Sequence, residues 1–238
     1  MHLTIRFLLT MSALCATGLA SAGTLGSGTD ISLRMTGFSD GHASVDTGLT
    51  SGYISAGRLH GLWTENGSSR SFLTYCPDIF QSVSWDTSYT YTLVGIGTAN
   101  GFTSRKEDLM GKLYTLAGAA VNYADTSAAF ELATWEIVNE SANGLDLGSS
   151  AFRLERGGST KQIQLANGWP VAVLAPGTPK IFNATRLYSS VAQDYVVFNC
   201  RPSNTASKLP EPGSLALSGV ALVALLATRR RSRGLPAG

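Results

Sequence analysis

The sequence predicts an α+β domain: a β-rich sheet or barrel with a two-helix insertion, followed by a single C-terminal transmembrane helix. Three observations predict the α+β domain, and a fourth predicts the C-terminal helix. Short segments of the first half have strand patterns, the apolar period becomes helical in the middle, and strand-like segments return afterwards. A charge-free apolar segment then lies close to the C-terminus. The chain of 238 residues is long enough for one domain of ordinary size.

The first half carries the strand patterns. Apolar and polar residues alternate over residues 31–35, and they do so in part over 53–63 and 71–76. Residues 88–94 add aromatic and β-branched side chains, which favour strands. Glycine-rich breaks separate these segments, so each is predicted to be one strand.

The middle of the chain has helical spacing. Ser104 followed by Glu107 forms a capping-box pattern ahead of leucines and alanines at helical intervals. A second helix is predicted to begin near Asp125 and to continue to Val138. After it, strands are predicted at residues 152–154, 162–165, 171–174 and 195–198.

Both ends of the chain predict export, and the first is a signal peptide at residues 1–22. His2 and Arg6 precede an apolar run, and Ala20-Ser21-Ala22 places small residues where signal peptidase cleaves. Cleavage is expected between Ala22 and Gly23. The remaining domain, residues 23–202, then leads into a polar stalk at 203–209.

The C-terminal end has three parts in a fixed order. Pro210-Glu211-Pro212 precedes the uncharged residues 213–228. As a helix these residues are just short of an average hydrocarbon core, so they are expected to span it with local thinning of the bilayer. Arg229, Arg230 and Arg231 follow and are expected to stay cytoplasmic, with the bulk of the protein outside.

This order over residues 210–233 resembles the PEP-CTERM sorting signal of Gram-negative, biofilm-forming bacteria. The resemblance implies an exosortase-type membrane protease as partner. It also implies anchoring in the inner membrane before processing, and then a place in the cell envelope, on the surface or in the extracellular matrix.

The charge of the chain argues against nucleic acid as a partner. The formal net charge of +2 comes from Arg6 and the C-terminal arginines, and residues 23–209 alone carry −2. A nucleic-acid-binding domain would show a basic surplus. We therefore expect no nucleic-acid partner.

One pair of segments in the domain carries a second resemblance. Tyr75-Cys76-Pro77-Asp78 ends a predicted strand, and the predicted helix contains Glu131, Ala133 and Trp135. The two segments resemble the thioester domains of bacterial surface adhesins, in which a cysteine bonds to a glutamine of such a helix. Here Glu131 stands at the glutamine position, so the resemblance implies the fold with a degenerate Cys76–Glu131 pair. A carboxylate offers no leaving group comparable to ammonia.

The cysteine count gives another role for Cys76. Once the signal peptide is removed, Cys76 and Cys200 remain in an oxidising compartment, where an even pair often forms a disulfide. The alternative is a free or intermolecular thiol at Cys200.

No enzyme motif is apparent, so we expect a non-enzymatic structural or adhesive protein without cofactor or metal. His42 and His60 lie in no metal-ligand pattern. One alternative is a secreted polysaccharide-acting enzyme that uses Glu131 and Asp78. Another is a carbohydrate-binding surface, if two tryptophans are exposed side by side. The tryptophans considered are Trp63, Trp85, Trp135 and Trp169.

Overall fold

The structure is a computed structural model of the chain, and it describes residues 30–94, 103–140, 145–148 and 151–200. The predicted signal peptide at 1–22, the stalk at 203–209, the sorting motif and the transmembrane helix at 213–228 lie outside these residues. Across the described ranges, no helix combines the length and the apolarity needed to cross a membrane.

The architecture is α+β, as predicted. Within the described residues, six strands form one antiparallel sheet in the order β5-β4-β1-β6-β8-β9, and three form a second antiparallel sheet in the order β3-β2-β7. The strands are β1 (Asp30–Phe38), β2 (Ala43–Thr47), β3 (Tyr53–Ala56), β4 (Leu59–Glu65), β5 (Ser68–Thr74), β6 (Ser88–Val94), β7 (Leu154–Gly157), β8 (Phe182–Tyr188) and β9 (Tyr195–Cys200).

The six-stranded sheet curls into a partial barrel. Tyr75, just after β5, forms an isolated antiparallel bridge with Val196 of β9, which joins the two outer strands at one end. The Val196 N–H donates to the Tyr75 carbonyl at 2.9 Å. Alternate residues of each strand fill the interior, as the period of two requires. The interior residues are Ile31, Leu33, Met35, Leu59, Trp63, Tyr91, Leu93, Leu187 and Tyr195.

Among the described residues, three α-helices pack with the sheets: α1 (Ser104–Ala117), α2 (Ala124–Asn139) and α3 (Thr160–Leu174). The predicted capping box at Ser104 is displaced by one residue, because Thr103 is the N-cap and its hydroxyl accepts from the Lys106 N–H. Glu107 instead forms an ion pair with Lys180 at 2.9 Å. This pair fastens α1 to the segment that leads into β8.

Helix α2 lies at the centre of the fold. Every residue from Thr126 to Ile137 is buried, which is typical of a helix enclosed on all sides. One of its faces packs with α1 and with β8 and β9 through Phe130, Ala133 and Ile137. The other packs against the three-stranded sheet through residues that include Leu132 and Trp135.

The predicted strands at 162–165 and 171–174 are wrong, because both segments belong to α3. Ser159 and Gln162 form a capping box that starts this helix: each side chain bonds the backbone N–H of the other residue. The residues that α3 buries are spaced by about one helical turn, and a strand period does not fit them. These residues are Gln162, Ala166, Pro170 and Val173. The part of the chain that the structure describes therefore contains three α-helices, where two were predicted.

Candidate functional site

The end of β5 and the middle of α2 meet at Cys76. The chain leaves the barrel there, one residue after the Tyr75–Val196 bridge. Two side chains of α2 hold the Cys76 peptide: Glu131 Oε1 accepts from its N–H at 3.0 Å, and the Trp135 indole Nε1–H donates to its carbonyl at 2.6 Å. Residues four apart lie on one face of a helix, so a single helical turn binds both polar groups of Cys76.

The structure thus brings Cys76 and Glu131 together, the two residues that the sequence paired. Glu131 is 1% exposed, and its second oxygen, Oε2, has no hydrogen-bond partner among the described residues. Burial raises the pKa of Glu131 well above its ordinary value of 4.5, and the nearby N–H groups of Cys76 and Trp135 lower it by less. The site therefore favours the neutral carboxylic acid.

The thiol of Cys76 is free. Its Sγ donates to the Asp78 carbonyl at 3.1 Å. Burial raises the pKa of the thiol well above its ordinary value of 9.0, and the carboxyl groups of Glu131 and Asp78 raise it further. The thiolate is the reactive form of cysteine, so this environment disfavours nucleophilic attack.

The predicted Cys76–Cys200 disulfide is not formed, because the strand register separates the two residues. Tyr75 lies opposite Val196, and the pairing is antiparallel, so Cys76 lies on the far side of this bridge from Cys200. Cys200 is four residues beyond Val196 on β9, about 13 Å away at about 3.3 Å per residue. A disulfide requires Cα atoms within about 7 Å.

A second set of hydrogen bonds fixes the loop that follows Cys76. Gln193, in the β8–β9 loop, donates from Nε2 to the Asp78 carbonyl at 2.8 Å. Gln81 accepts from the Asp194 N–H at 2.9 Å. Asp194 is itself buried in an ion pair with Arg186. The two loops therefore form one rigid wall.

A cleft of about 480 Å³ opens beside this wall. Cys76, Trp135 and residues of β3 line the cleft together with an aromatic row. In this row Phe38 stacks on His42 with centroids 4.4 Å apart, and Trp85 meets Phe38 edge-on at 5.4 Å. The cleft is lined by Phe38, His42, Tyr53, Ile54, Ser55, Gly57, Leu59, Cys76, Asp78, Ile79, Gln81, Ser82, Val83, Trp85, Trp135 and Gln193.

The condition set for a carbohydrate-binding surface, two tryptophans exposed side by side, is not met by the four tryptophans. Trp63 and Trp135 are 3% and 2% exposed, and Trp169 packs partly buried against the core. Trp85 alone of the four is exposed, at 42%, and its neighbour in the aromatic row is Phe38.

Sequence reasoning missed the other cleft residues. Phe38, Gln81 and Gln193 belong to no motif, and the fold alone brings them to Cys76. Their positions in a strand and two loops carry no signal in the sequence.

Neither of the two histidines singled out in the sequence lies in a metal site. His60 bonds Thr36 Oγ1 through Nδ1 at 2.7 Å and Ser71 Oγ through Nε2 at 2.6 Å, on an exposed sheet face. His42 belongs to the aromatic row. In the ranges that the structure covers, no three His, Cys, Asp or Glu side chains are grouped closely enough to hold a metal ion.

Comparison with known proteins gives a weak structural similarity. No protein-family model matches the chain, and no curated protein matches its sequence. A solved structure that is similar is the N-terminal domain of the Streptococcus pyogenes pilus tip adhesin Cpa, with 12% sequence identity and a TM-score of 0.40. The match covers 75% of this chain and 100% of that chain. At this TM-score it does not establish a common fold.

Proposed function

We propose that this chain is an exported surface protein whose folded domain binds a ligand non-covalently in the cleft beside Cys76. It would act in adhesion or in association with an extracellular matrix, in a biofilm or exopolysaccharide context. The observation that carries the proposal is the cleft itself: a concave, partly aromatic site with a few fixed polar groups, which is the usual form of a ligand site.

The chemistry of Cys76 supports non-covalent binding. Its thiol and the Glu131 carboxyl both favour their neutral forms. Glu131 Oε1 is already bonded to the Cys76 N–H. In this proposal the pair is an anchor that aligns the cleft wall. No thioester forms, in keeping with the degenerate Cys76–Glu131 pair that the resemblance implies.

The proposal also covers the route to the surface. The signal peptide at 1–22 would direct export, and residues 213–228 would hold the chain in the inner membrane. An exosortase-type protease would act near Pro210-Glu211-Pro212. The support for this route is the ordered C-terminal signature in the sequence.

A hydrolytic role needs a second carboxyl group in the cleft. Enzymes that cleave glycosidic bonds with two acids place them about 5–10 Å apart across the bond. Among the described residues that line the cleft, Asp78 is the one with a carboxyl side chain. Glu131 does not line the cleft, and its Oε1 accepts a hydrogen bond from the Cys76 N–H. We therefore propose a binding protein, and measured turnover of a glycan would contradict this.

The test is an intact mass of the protein purified from its native host, measured with and without alkylation after unfolding. We expect a chain that begins at Gly23, ends near residues 210–212 and gains an alkyl group at Cys76. A mass short by one water with Cys76 blocked would show a Glu131 thioester and overturn non-covalent binding. An unprocessed C-terminus would remove exosortase-type sorting, and recovery from the cytoplasm would refute export.

A further inference from the structure

We propose that the ligand of this cleft is a neutral pyranose sugar, presented as a residue of a polysaccharide. The inference rests on the proposed binding role of the cleft and names the chemistry of its ligand. It is carried by three features of the cleft: an exposed aromatic face held by the backbone, a neighbouring acceptor and donor, and a described lining without lysine or arginine.

The aromatic face is held in place before any ligand arrives. Trp85 pairs with Met35 of β1 through an isolated bridge, and the next N–H, of Asp86, donates to the Met35 carbonyl at 2.8 Å. The Thr87 hydroxyl donates to the Trp85 carbonyl at 3.2 Å. Phe38 supports the indole edge-on. A fixed, exposed indole presents an apolar plane to solvent, and the C–H face of a pyranose ring is a flat apolar partner for it.

Asp78 and Gln81 supply polar groups whose orientations are set by the protein. Asp78 Oδ1 accepts from the Phe80 N–H at 2.9 Å, which leaves Oδ2 as an acceptor. Gln81 Oε1 accepts from the Asp194 N–H, so the amide NH₂ of Gln81 is a donor. An adjacent acceptor and donor match hydroxyl groups, because each hydroxyl both donates and accepts.

The charge of the cleft selects against anionic ligands. Its described lining contains no lysine or arginine, and Asp78 is an acid. Phosphate groups, nucleotides and uronic acids would meet a carboxylate without a compensating cation, which is unfavourable. A purely apolar ligand would leave the Asp78 and Gln81 groups desolvated and unbonded. A neutral, hydroxyl-rich ring with an apolar face satisfies both conditions.

An extended peptide is the competing occupant. Strand β3 is an edge strand of its sheet and borders the cleft, so its backbone offers a template for another strand. Such a peptide would pair with β3 and would not require the indole of Trp85. The sugar is favoured because Trp85, Asp78 and Gln81 all belong to the segment between β5 and β6, and all three line the cleft.

The experiment measures binding to the full chain in a detergent without a sugar headgroup. The probes are neutral hexasaccharides of glucose, galactose, mannose and N-acetylglucosamine. Hexagalacturonate serves as an anionic probe of equal length, and an uncharged hexapeptide of alternating valine and threonine tests strand pairing. We expect one or more neutral hexasaccharides to bind with a dissociation constant of about 1 mM or tighter, with little dependence on salt. Hexagalacturonate should bind at least about tenfold more weakly.

Two exposed aromatic residues of the same loop provide matched variants. Trp85→Ala should weaken binding about tenfold, and Trp85→Phe should weaken it less. Phe80→Ala should leave binding unchanged, because Phe80 is 67% exposed and does not line the cleft. Equal thermal midpoints of the variants would show that folding is intact.

Three results would overturn the inference: no neutral hexasaccharide binds, the peptide binds in their place, or Trp85→Ala binds as tightly as the parent chain. If one of these results is found for a protein that is processed and displayed at the cell surface, the sugar ligand is refuted and the proposed export stands. A cytoplasmic chain that still binds sugar would refute the proposed surface role alone.

Discussion

Glu131 should make this domain less stable as the pH rises, whereas a paired surface carboxyl group usually makes a domain more stable as the pH rises. Its folded pKa lies well above the ordinary value of 4.5, so the folded state holds the proton more tightly than the unfolded state. The stability from this group is complete below pH 4.5 and is lost as the pH rises towards the folded pKa. The free energy of unfolding should fall by up to about 1.4 kcal/mol for each pH unit in that range.

Glu131→Gln removes this dependence. The amide oxygen can accept from the Cys76 N–H as Oε1 does now, and the side chain no longer ionises. The resemblance to thioester domains implies that a glutamine here can bond to Cys76, so both chains are compared in a Cys76→Ala background. An intact mass then checks that the amide is retained.

The assay is urea unfolding at pH 5, 6, 7 and 8, below the ordinary pKa of a thiol, with the slope m checked for constancy. The difference between parent and Glu131→Gln isolates Glu131, since all other titrations cancel. The parent should lose stability relative to the variant as the pH rises. Glu155→Gln, at an exposed carboxyl, should run parallel to the parent. Parallel curves for Glu131→Gln would refute a raised pKa.

Three further predictions concern packing around the same helices. Trp135→Phe leaves the Cys76 carbonyl without its donor and should cost about 1–3 kcal/mol in urea unfolding; a cost below about 0.5 kcal/mol would contradict the bond's role. Gly111→Ala should lower the free energy of unfolding, because the added Cβ would collide with the Phe182 carbonyl. At Gly168 an added Cβ meets no atom within 4 Å, so Gly168→Ala should raise the free energy of unfolding by up to about 1 kcal/mol. Cys76 should alkylate slowly when folded and at once in denaturant, by mass spectrometry; rapid folded-state labelling would contradict the raised thiol pKa.

Most strands of the first half and the first two helices were predictable because their patterns are local, whereas β2 and β8 were not predicted. Residues 31–35 alternate because one face of β1 fills the barrel. The predicted second helix matches α2 to within about a residue at each end. The third helix was missed because its short apolar runs read equally as strands. Two features of the folded chain make this segment helical: the hydrogen bonds between Ser159 and Gln162, and the side chains that α3 buries.

The Cys76–Glu131 contact was predictable only through its likeness to a known pairing, and its chemistry was not. A glutamate on a helix is ordinarily solvated, and no pattern shows that its second oxygen will be buried without a partner. The disulfide prediction failed for a related reason. Counting cysteines ignores the register of β9, which carries Cys200 away from Cys76.

The sequence by itself determined the α+β class, most strand periods and both helix periods of the first two thirds, and the pairing of Cys76 with Glu131. These follow from repeated side-chain polarity or from a short shared motif. The tertiary structure decided which residues share the cleft. Phe38, Trp85 and Gln193 come from a strand and two loops far apart along the chain. Curling the six-stranded sheet brings these elements to one end. Burial where α2 meets the end of β5 then raises the pKa of both members of the pair, and burial is a property of the packed domain.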